Sequence, residues 1–322
     1  MTTPTTAHPV RRRALPVTHD LLDLIVTERV KEATDVVSLS LRRTDGHPLP
    51  PWAPGAHLDL LLGDGLQRQY SLCGGDAVTY RIAVLLKPAG RGGSAHVHAE
   101  LREGCHVQAR GPRNHFPLEP ATGYRFVAGG IGITPILPML AAVDDSAPWT
   151  LLYGGRSRSS MAFREELARC FPDERMRLVE GSLDLGDHLA GLGGGELVYA
   201  CGPASLLTAV EALVPAEQLR LERFTPTAAE RALDSVFEIE LAQSGRVLTV
   251  PADQSILHTL QAAGLDPLYS CTEGTCGTCE TGLVAGQADH RDSVLSPQER
   301  VADDTVMICV SRARSPRLVL DL

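Results

Sequence analysis

Cys271-Thr-Glu-Gly-Thr-Cys276-Gly-Thr-Cys279 organises the reading of this chain, and Cys309 completes it after 29 intervening residues. The C-x4-C-x2-C spacing with a distant fourth cysteine is that of a plant-type [2Fe–2S] site, in which four thiolates hold two irons. Three sulfurs of one short loop reach a common cluster only if the backbone turns sharply, and Gly274 and Gly277 can supply turns at positive φ. Zinc is a competing reading, but zinc ribbons pair C-x2-C with a second such pair or with histidines, and the sequence has neither. Disulfides are the other alternative. Against them, Cys73, Cys105, Cys170 and Cys201 are irregularly spaced and no secretory leader is legible. Cys271, Cys276, Cys279 and Cys309 are therefore the candidate cluster ligands. A cluster of this kind passes one electron at a time, so the rest of the sequence should show an electron source.

The ligands lie within residues 236–322, where 12 Asp and Glu face six Arg and no Lys, a balance of −6 in a chain total of −9. Four thiolates around an oxidised cluster add about −2 more. Such a surface repels nucleic acid and would dock on a basic partner with salt-sensitive rates. A role in solubility alone is the bland alternative. Within this segment, residues 237–242 and 246–250 predict a hairpin. Asp253 is the expected cap of a helix whose Ile256, Leu257 and Leu260 share a face, and Gly264 its expected end.

Three hundred and twenty-two residues with 43% hydrophobic and 21% charged content suit two or three globular domains rather than a disordered chain. No apolar run approaches the roughly 18–20 residues of a membrane span. Arg11-Arg12-Arg13 is not followed by the apolar run of a signal peptide, so a cytoplasmic protein is expected. Residues 1–21 read as a flexible extension. Residues 22–117 alternate at 24–30, 36–41, 57–62 and 80–86 between turns rich in Gly, Pro and Asp, which predicts an antiparallel β-barrel. Residues 118–224 carry short apolar runs at 124–128, 149–153, 176–179 and 196–200 between helical patterns, which predicts a parallel sheet. Residues 225–235 read as a linker.

Two glycine-rich turns mark the parallel segment. Val127-Ala-Gly-Gly130-Ile-Gly132-Ile-Thr134-Pro135 follows a strand and opens a helix, so Gly130 and Gly132 would let the backbone approach a pyrophosphate. Thr134 and Pro135 read as N-cap and first helical residue. Proline at 135 departs from the standard dinucleotide fingerprint, and a bare glycine turn is weak on its own. Ala200-Cys201-Gly202-Pro203 repeats the chemistry, with Pro203 expected at the first helical position, and two such turns place ligands at the carboxyl edge of one sheet. Cys201 would lie there, or would simply be a small buried hydrophobe. Upstream, Arg68-Gln69-Tyr70-Ser71-Leu72 sits on a barrel strand and Gly90-Arg-Gly92-Gly93-Ser94 precedes a helical run. Gly92, Gly93 and Ser94 can donate to one phosphate with Arg68 supplying charge, and Tyr70 could lie against a flavin ring. Alone, R-Q-Y-S is only a polar strand with a core tyrosine.

Together these residues resemble the phthalate dioxygenase reductase family, from about residue 22 to the end of the chain. The resemblance rests on R-Q-Y-S-L, G-R-G-G-S, A-G-G-I-G-I-T-P, A-C-G-P, C-x4-C-x2-C and the ending A-D-H-R-D … C-V-S-R-A … L-V-L-D-L. It implies an FMN-binding barrel at 22–117, an NAD-binding domain at 118–224 and a C-terminal β-grasp ferredoxin domain at 236–322, a multi-domain α+β and α/β chain. It further implies that Arg68, Gln69, Tyr70, Ser71, Ala83, Val84 and Leu85 hold the isoalloxazine, and Gly93 and Ser94 the FMN phosphate. Thr134, Cys201 and Gly202 would flank the nicotinamide, and Phe224 would cover the flavin. No acid–base residue is expected. The carboxylates of residues 289–292 are expected to shape the ferredoxin.

The resemblance implies a reductase: NADH gives a hydride to FMN, which passes electrons singly to the cluster and on to a terminal Rieske-type oxygenase or demethylase. A cytochrome P450 partner, a stand-alone NAD(P)H:acceptor reductase and a flavin/cluster redox sensor are the alternatives, and a monomer is expected. One departure bears on the nucleotide. Tyr153-Gly-Gly-Arg156-Ser157 lacks an acidic residue to repel a 2′-phosphate, so Arg156 and Arg158 leave NADPH open beside NADH.

Overall fold

The computed structural model describes residues 21–63, 65–144, 146–225 and 234–322; residues 1–20 and most of the expected linker lie outside these. The first six strands are β1 (Leu22–Ala33), β2 (Val36–Arg43), β3 (Ala56–Leu61), β4 (Gln67–Gly75), β5 (Tyr80–Leu85) and, after helix α1 (Gly93–Glu100), β6 (His106–Asn114). They close an antiparallel barrel in the order β1-β2-β5-β4-β3-β6. Alternation sends Leu24, Leu39, Leu41, Leu58, Leu60, Leu72 and Ile82 into its interior, where all are fully buried. β3 breaks the usual alternation. Its outward residues His57 and Asp59 are buried too, at 5% and 0% exposure, because the cysteine-rich segment packs over that face.

Next come β7 (Gly123–Gly129), α2 (Ile133–Ala142), β8 (Trp149–Gly155), α3 (Arg164–Cys170), β9 (Met176–Glu180), α4 (Leu185–Leu189), β10 (Glu196–Cys201), α5 (Ala204–Glu211) and β11 (Leu219–Glu222). The five strands form an all-parallel sheet, β11-β10-β7-β8-β9. α2 is apolar on every side and buried from Ile133 to Leu140, because it lies between this sheet and β4 of the barrel.

Two helix starts in this parallel segment differ from expectation. A 3₁₀ turn at Gly130–Gly132 runs directly into α2, so Thr134 is its second residue rather than a cap, and its hydroxyl donates to the Ile131 carbonyl at 2.9 Å. Pro203 is the N-cap of α5 instead of its first residue.

The last segment holds β12 (Phe237–Leu241), β13 (Val247–Val250), α6 (Ile256–Ala262), β14 (Glu280–Ala285), β15 (Ala288–Asp289), α7 (Pro297–Ala302), β16 (Thr305–Met307), β17 (Arg312–Ala313) and β18 (Arg317–Leu320). Its mixed sheet runs β13-β12-β18-β14-β16, with β12 and β18 parallel, and a β15–β17 ladder stands apart. The expected hairpin is β12–β13. α6 buries Ile256, Leu257 and Leu260, and Gly264 beyond it adopts φ 82°. Its cap is Ser255, not Asp253: the Ser255 hydroxyl accepts from the His258 amide at 3.2 Å, the three-residue reach that an N-cap side chain requires.

Candidate functional site

A cleft of about 310 Å³ opens where the three segments meet. Arg68, Gln69, Tyr70, Ser71, Ala83, Val84, Leu85, Gly93 and Ser94 line it from the barrel, Thr134 and Phe224 from the nucleotide side, and Cys276 from the cysteine loop. Residues far apart in the chain thus share one wall. Gly130, Gly132, Cys201, Gly202 and Arg156 are not among the lining residues.

One end of the cleft is built for an anion. Gly92, at φ 83°, is the N-cap of α1 and provides no side chain to satisfy the first-turn amides, and that turn holds no acidic residue. Arg68, Lys87 and Arg91 gather there. Arg68 lies so close to Gly93 that a Cβ at 93 would stand 2.3 Å from its Cγ. Burial, and then the neighbouring Arg91 charge, depress the Arg68 pKa, as expected of cations crowded around a place for phosphate. The Ser94 hydroxyl accepts from the Lys87 amide at 2.9 Å, which fixes the loop ahead of α1. These features fit the phosphate of a flavin mononucleotide. Gln69 lines the cleft while its side-chain amide donates to Asp59 (3.0 Å) and Ser270 across the seam to the cysteine-rich segment.

On the nucleotide side, the two glycine-rich turns touch. A Cβ on Gly132 would lie 2.2 Å from the Cys201 carbonyl oxygen, so only glycine lets these strand ends approach. Cys201 is fully buried behind Glu222, with its sulfur 3.9 Å from that carboxylate and its pKa pushed far up by burial. It does not face the cleft. Glu222 does, and it accepts from the Ser71 hydroxyl at 3.3 Å. Burial raises its carboxyl to about 8, which keeps a protonated acid at the cleft wall near neutral pH. Sequence reading missed Glu222 because its partner Ser71 is 151 residues away. Arg156 is exposed outside the cleft, and Arg158 pairs with Glu180 at 3.5 Å on the surface.

The cysteine loop closes the third side. Thr272 (φ 58°), Gly274 (φ 69°) and Gly277 (φ 72°) take left-handed conformations that fold it tightly. All eight cysteines are unbridged, and Cys271, Cys276, Cys279 and Cys309 are buried. Their sulfurs lie close enough to perturb one another's ionisation, Cys271 with Cys276 and Cys309, and Cys309 with Cys279. Those contacts, followed by the Glu273 and Thr275 amides at 3.3 and 3.4 Å, pull the Cys271 thiol far below its ordinary pKa. Four convergent thiols, backbone N–H donors and a dry setting fit a thiolate-held iron–sulfur cluster.

Comparison with known proteins agrees with this arrangement. The family described as 2Fe-2S iron-sulfur cluster binding domain matches residues 239–314, and the oxidoreductase NAD-binding domain matches 126–184. Tetrachlorobenzoquinone reductase of Sphingobium chlorophenolicum is 38% identical, covering 94% of this chain and 98% of that one. Phenoxybenzoate dioxygenase subunit beta of Ectopseudomonas oleovorans is 43% identical, covering 90% and 94%. The structure of phthalate dioxygenase reductase, described as modular for electron transfer from pyridine nucleotides to [2Fe-2S], has 36% identity and a TM-score of 0.68 over 94% of this chain and 98% of that one. An intact type IV self-sufficient cytochrome P450 monooxygenase has 42% identity and a TM-score of 0.88; the match covers 94% of this chain, which spans only 41% of that longer one.

Proposed function

The chain belongs to the phthalate dioxygenase reductase family, and from that premise we propose that it delivers electrons from NADH to a Rieske-type terminal oxygenase or demethylase. It is an NAD(P)H-dependent oxidoreductase with FMN and a [2Fe–2S] cluster. The observation that carries the reading is the shared cleft: residues of the barrel, of the nucleotide segment and Cys276 of the thiolate loop line one space. When bound there, FMN supplies the conversion of a hydride's electron pair into single electrons.

The chain's own residues do the rest. Arg68 and the α1 amides would hold the phosphate end, while Arg91 is already paired with Glu273 at 2.7 Å. Tyr70, Leu85 and Phe224 give the ring position apolar walls. The Gly132–Cys201 contact sets the spacing of the two turns that receive the nicotinamide, and Thr134, buried at 2% exposure, stands at their edge. Ser71 and Glu222 form a polar pair on the wall between barrel and sheet, the Ser71 hydroxyl donating to the carboxyl at 3.3 Å, and burial raises the Glu222 pKa. Positioning, more than acid–base chemistry, is what these groups supply. NADH is the preferred nucleotide in this reading, because Glu180 offsets Arg158 where a 2′-phosphate would need uncompensated charge.

Of two curated relatives that share this chain's length, one is named for a dioxygenase, which favours an oxygenase acceptor, and the other for a quinone. A P450 acceptor is the second reading, favoured by the high similarity to the self-sufficient P450 chain. We place domain boundaries at 22–117, 118–224 and 236–322 and propose a cytoplasmic monomer; among the described residues no helix is long and apolar enough to cross a membrane. The test is stopped-flow reduction of purified Rieske-type oxygenases and P450s by the NADH-reduced protein, with NADPH run in parallel. Rapid bleaching of a Rieske centre with higher kcat/KM for NADH supports the reading. Reduction of a P450 alone, or a clear NADPH preference, overturns the corresponding part.

A further inference from the structure

We propose that Arg113 and Asp59, both on the flavin barrel, set the reduction potential of the cluster on the neighbouring domain. Asp59 is wholly buried and forms an ion pair with Arg113, whose side chain is 9% exposed. Both reach the same hydroxyl of the cysteine loop. Arg113 Nη2 donates to Thr278 Oγ1 at 2.9 Å, and Thr278 Oγ1 lies 3.3 Å from Asp59 Oδ2. That oxygen is also 3.2 Å from Cys276 Sγ, and the Thr278 amide donates to the same sulfur at 3.4 Å. A positive and a negative charge are thus held one hydroxyl away from a cluster ligand, in a space closed to solvent.

A structural clamp between domains does not call for charge. The seam already has neutral contacts, such as Gln69 to Ser270 and the close approach of Gly277 to the His115 ring, where a Cβ would stand 2.3 Å from Nε2. A buried ion pair contributes little net stability, since desolvation offsets its attraction. What it does supply is a fixed field at the sulfur, strong because the local dielectric is low. Reduction of a cluster held by Cys271, Cys276, Cys279 and Cys309 would add one negative charge beside Arg113. The guanidinium favours that charge and Asp59 opposes it, so each residue moves the potential in its own direction.

The two substitutions therefore separate tuning from clamping. Arg113→Gln and Asp59→Asn break the same ion pair, so a purely structural role would move the cluster in the same sense in both. Tuning predicts opposite signs. The experiment is a redox titration of the full-length holoprotein followed by the EPR signal of the reduced cluster. Arg113→Gln is expected to lower the midpoint and Asp59→Asn to raise it, each by about tenfold in the one-electron equilibrium, or about 59 mV. Arg113→Lys, which keeps the charge, should stay near wild type. If Arg113→Gln does not fold with Asp59 left unpaired, the upward shift of Asp59→Asn against wild type decides the matter. Unchanged midpoints, or shifts of the same sign, overturn the proposal. It rests on the four cysteines being the cluster ligands, and that reading fails differently: the wild-type protein would then show no reduced-cluster EPR signal at all.

Discussion

Replacing Gly132 with alanine tests whether nucleotide binding depends on the touching strand ends. Gly132 has φ −63° and ψ −5°, a conformation alanine adopts freely, so the penalty is purely steric. The added carbon would stand 2.2 Å from the Cys201 carbonyl oxygen and 2.5 Å from its carbon. Unstrained contact lies near about 3.5 Å, so the turns after β7 and β10 must part by about 1 Å. Overpacking of this kind costs about 1–3 kcal/mol. If that falls on the arrangement that binds nicotinamide, the NADH KM rises about 5- to 150-fold at a tenfold per 1.4 kcal/mol. The assay is NADH oxidation with ferricyanide, alongside thermal melting and the flavin and cluster absorbance that report loading. Gly130→Ala is the comparison, because Gly130 sits at φ 55° with nothing within 4 Å of its would-be Cβ. Its penalty is conformational, about 1–2 kcal/mol, with no forced separation of the turns. A fully loaded Gly132→Ala protein with wild-type KM and wild-type melting refutes the contact argument.

Cys276→Ser is expected to abolish the reduced-cluster EPR signal while flavin stays bound and NADH–ferricyanide activity persists; transfer to cytochrome c at the wild-type rate would contradict the cleft-to-cluster route. Glu222→Gln should flatten the pH dependence of stability. Burial raises the Glu222 pKa from 4.5 to about 8, so the fold favours the protonated acid: its contribution is complete below about 4.5 and declines as pH rises toward 8, by at most about 1.4 kcal/mol per unit. Urea midpoints for both proteins between pH 5 and 8.5 check this, and identical slopes would show that Glu222 does not titrate there. Electron delivery to the partner should slow as salt rises, since 12 carboxylates against six arginines in residues 236–322 steer encounters that are screened within about 8–10 Å at 0.1–0.15 M. Partner turnover that is flat with ionic strength would assign docking to apolar contact.

The sequence by itself determined what is local. Strand alternation, glycine turns and the Cys271–Cys279 spacing are set within about ten residues, so they specified the barrel, the parallel sheet and three of the four buried thiols, while Cys309 stands 30 residues beyond Cys279. Helix starts were less legible, since Asp253 and Ser255 both suit a cap and only the realised hydrogen bond to the His258 amide selects Ser255. Tertiary structure decided everything that depends on two distant segments meeting. Ser71 and Glu222, or Asp59, Arg113 and Thr278, carry no mutual signal in the chain, because each looks like an ordinary polar residue until the other segment excludes its water. Cys201 shows the converse. Its motif marks the right turn, yet its sulfur packs into the core beside Glu222 rather than in the cleft. Burial arises only from long-range packing, and with it come the raised Glu222 pKa and the field of the Asp59–Arg113 pair.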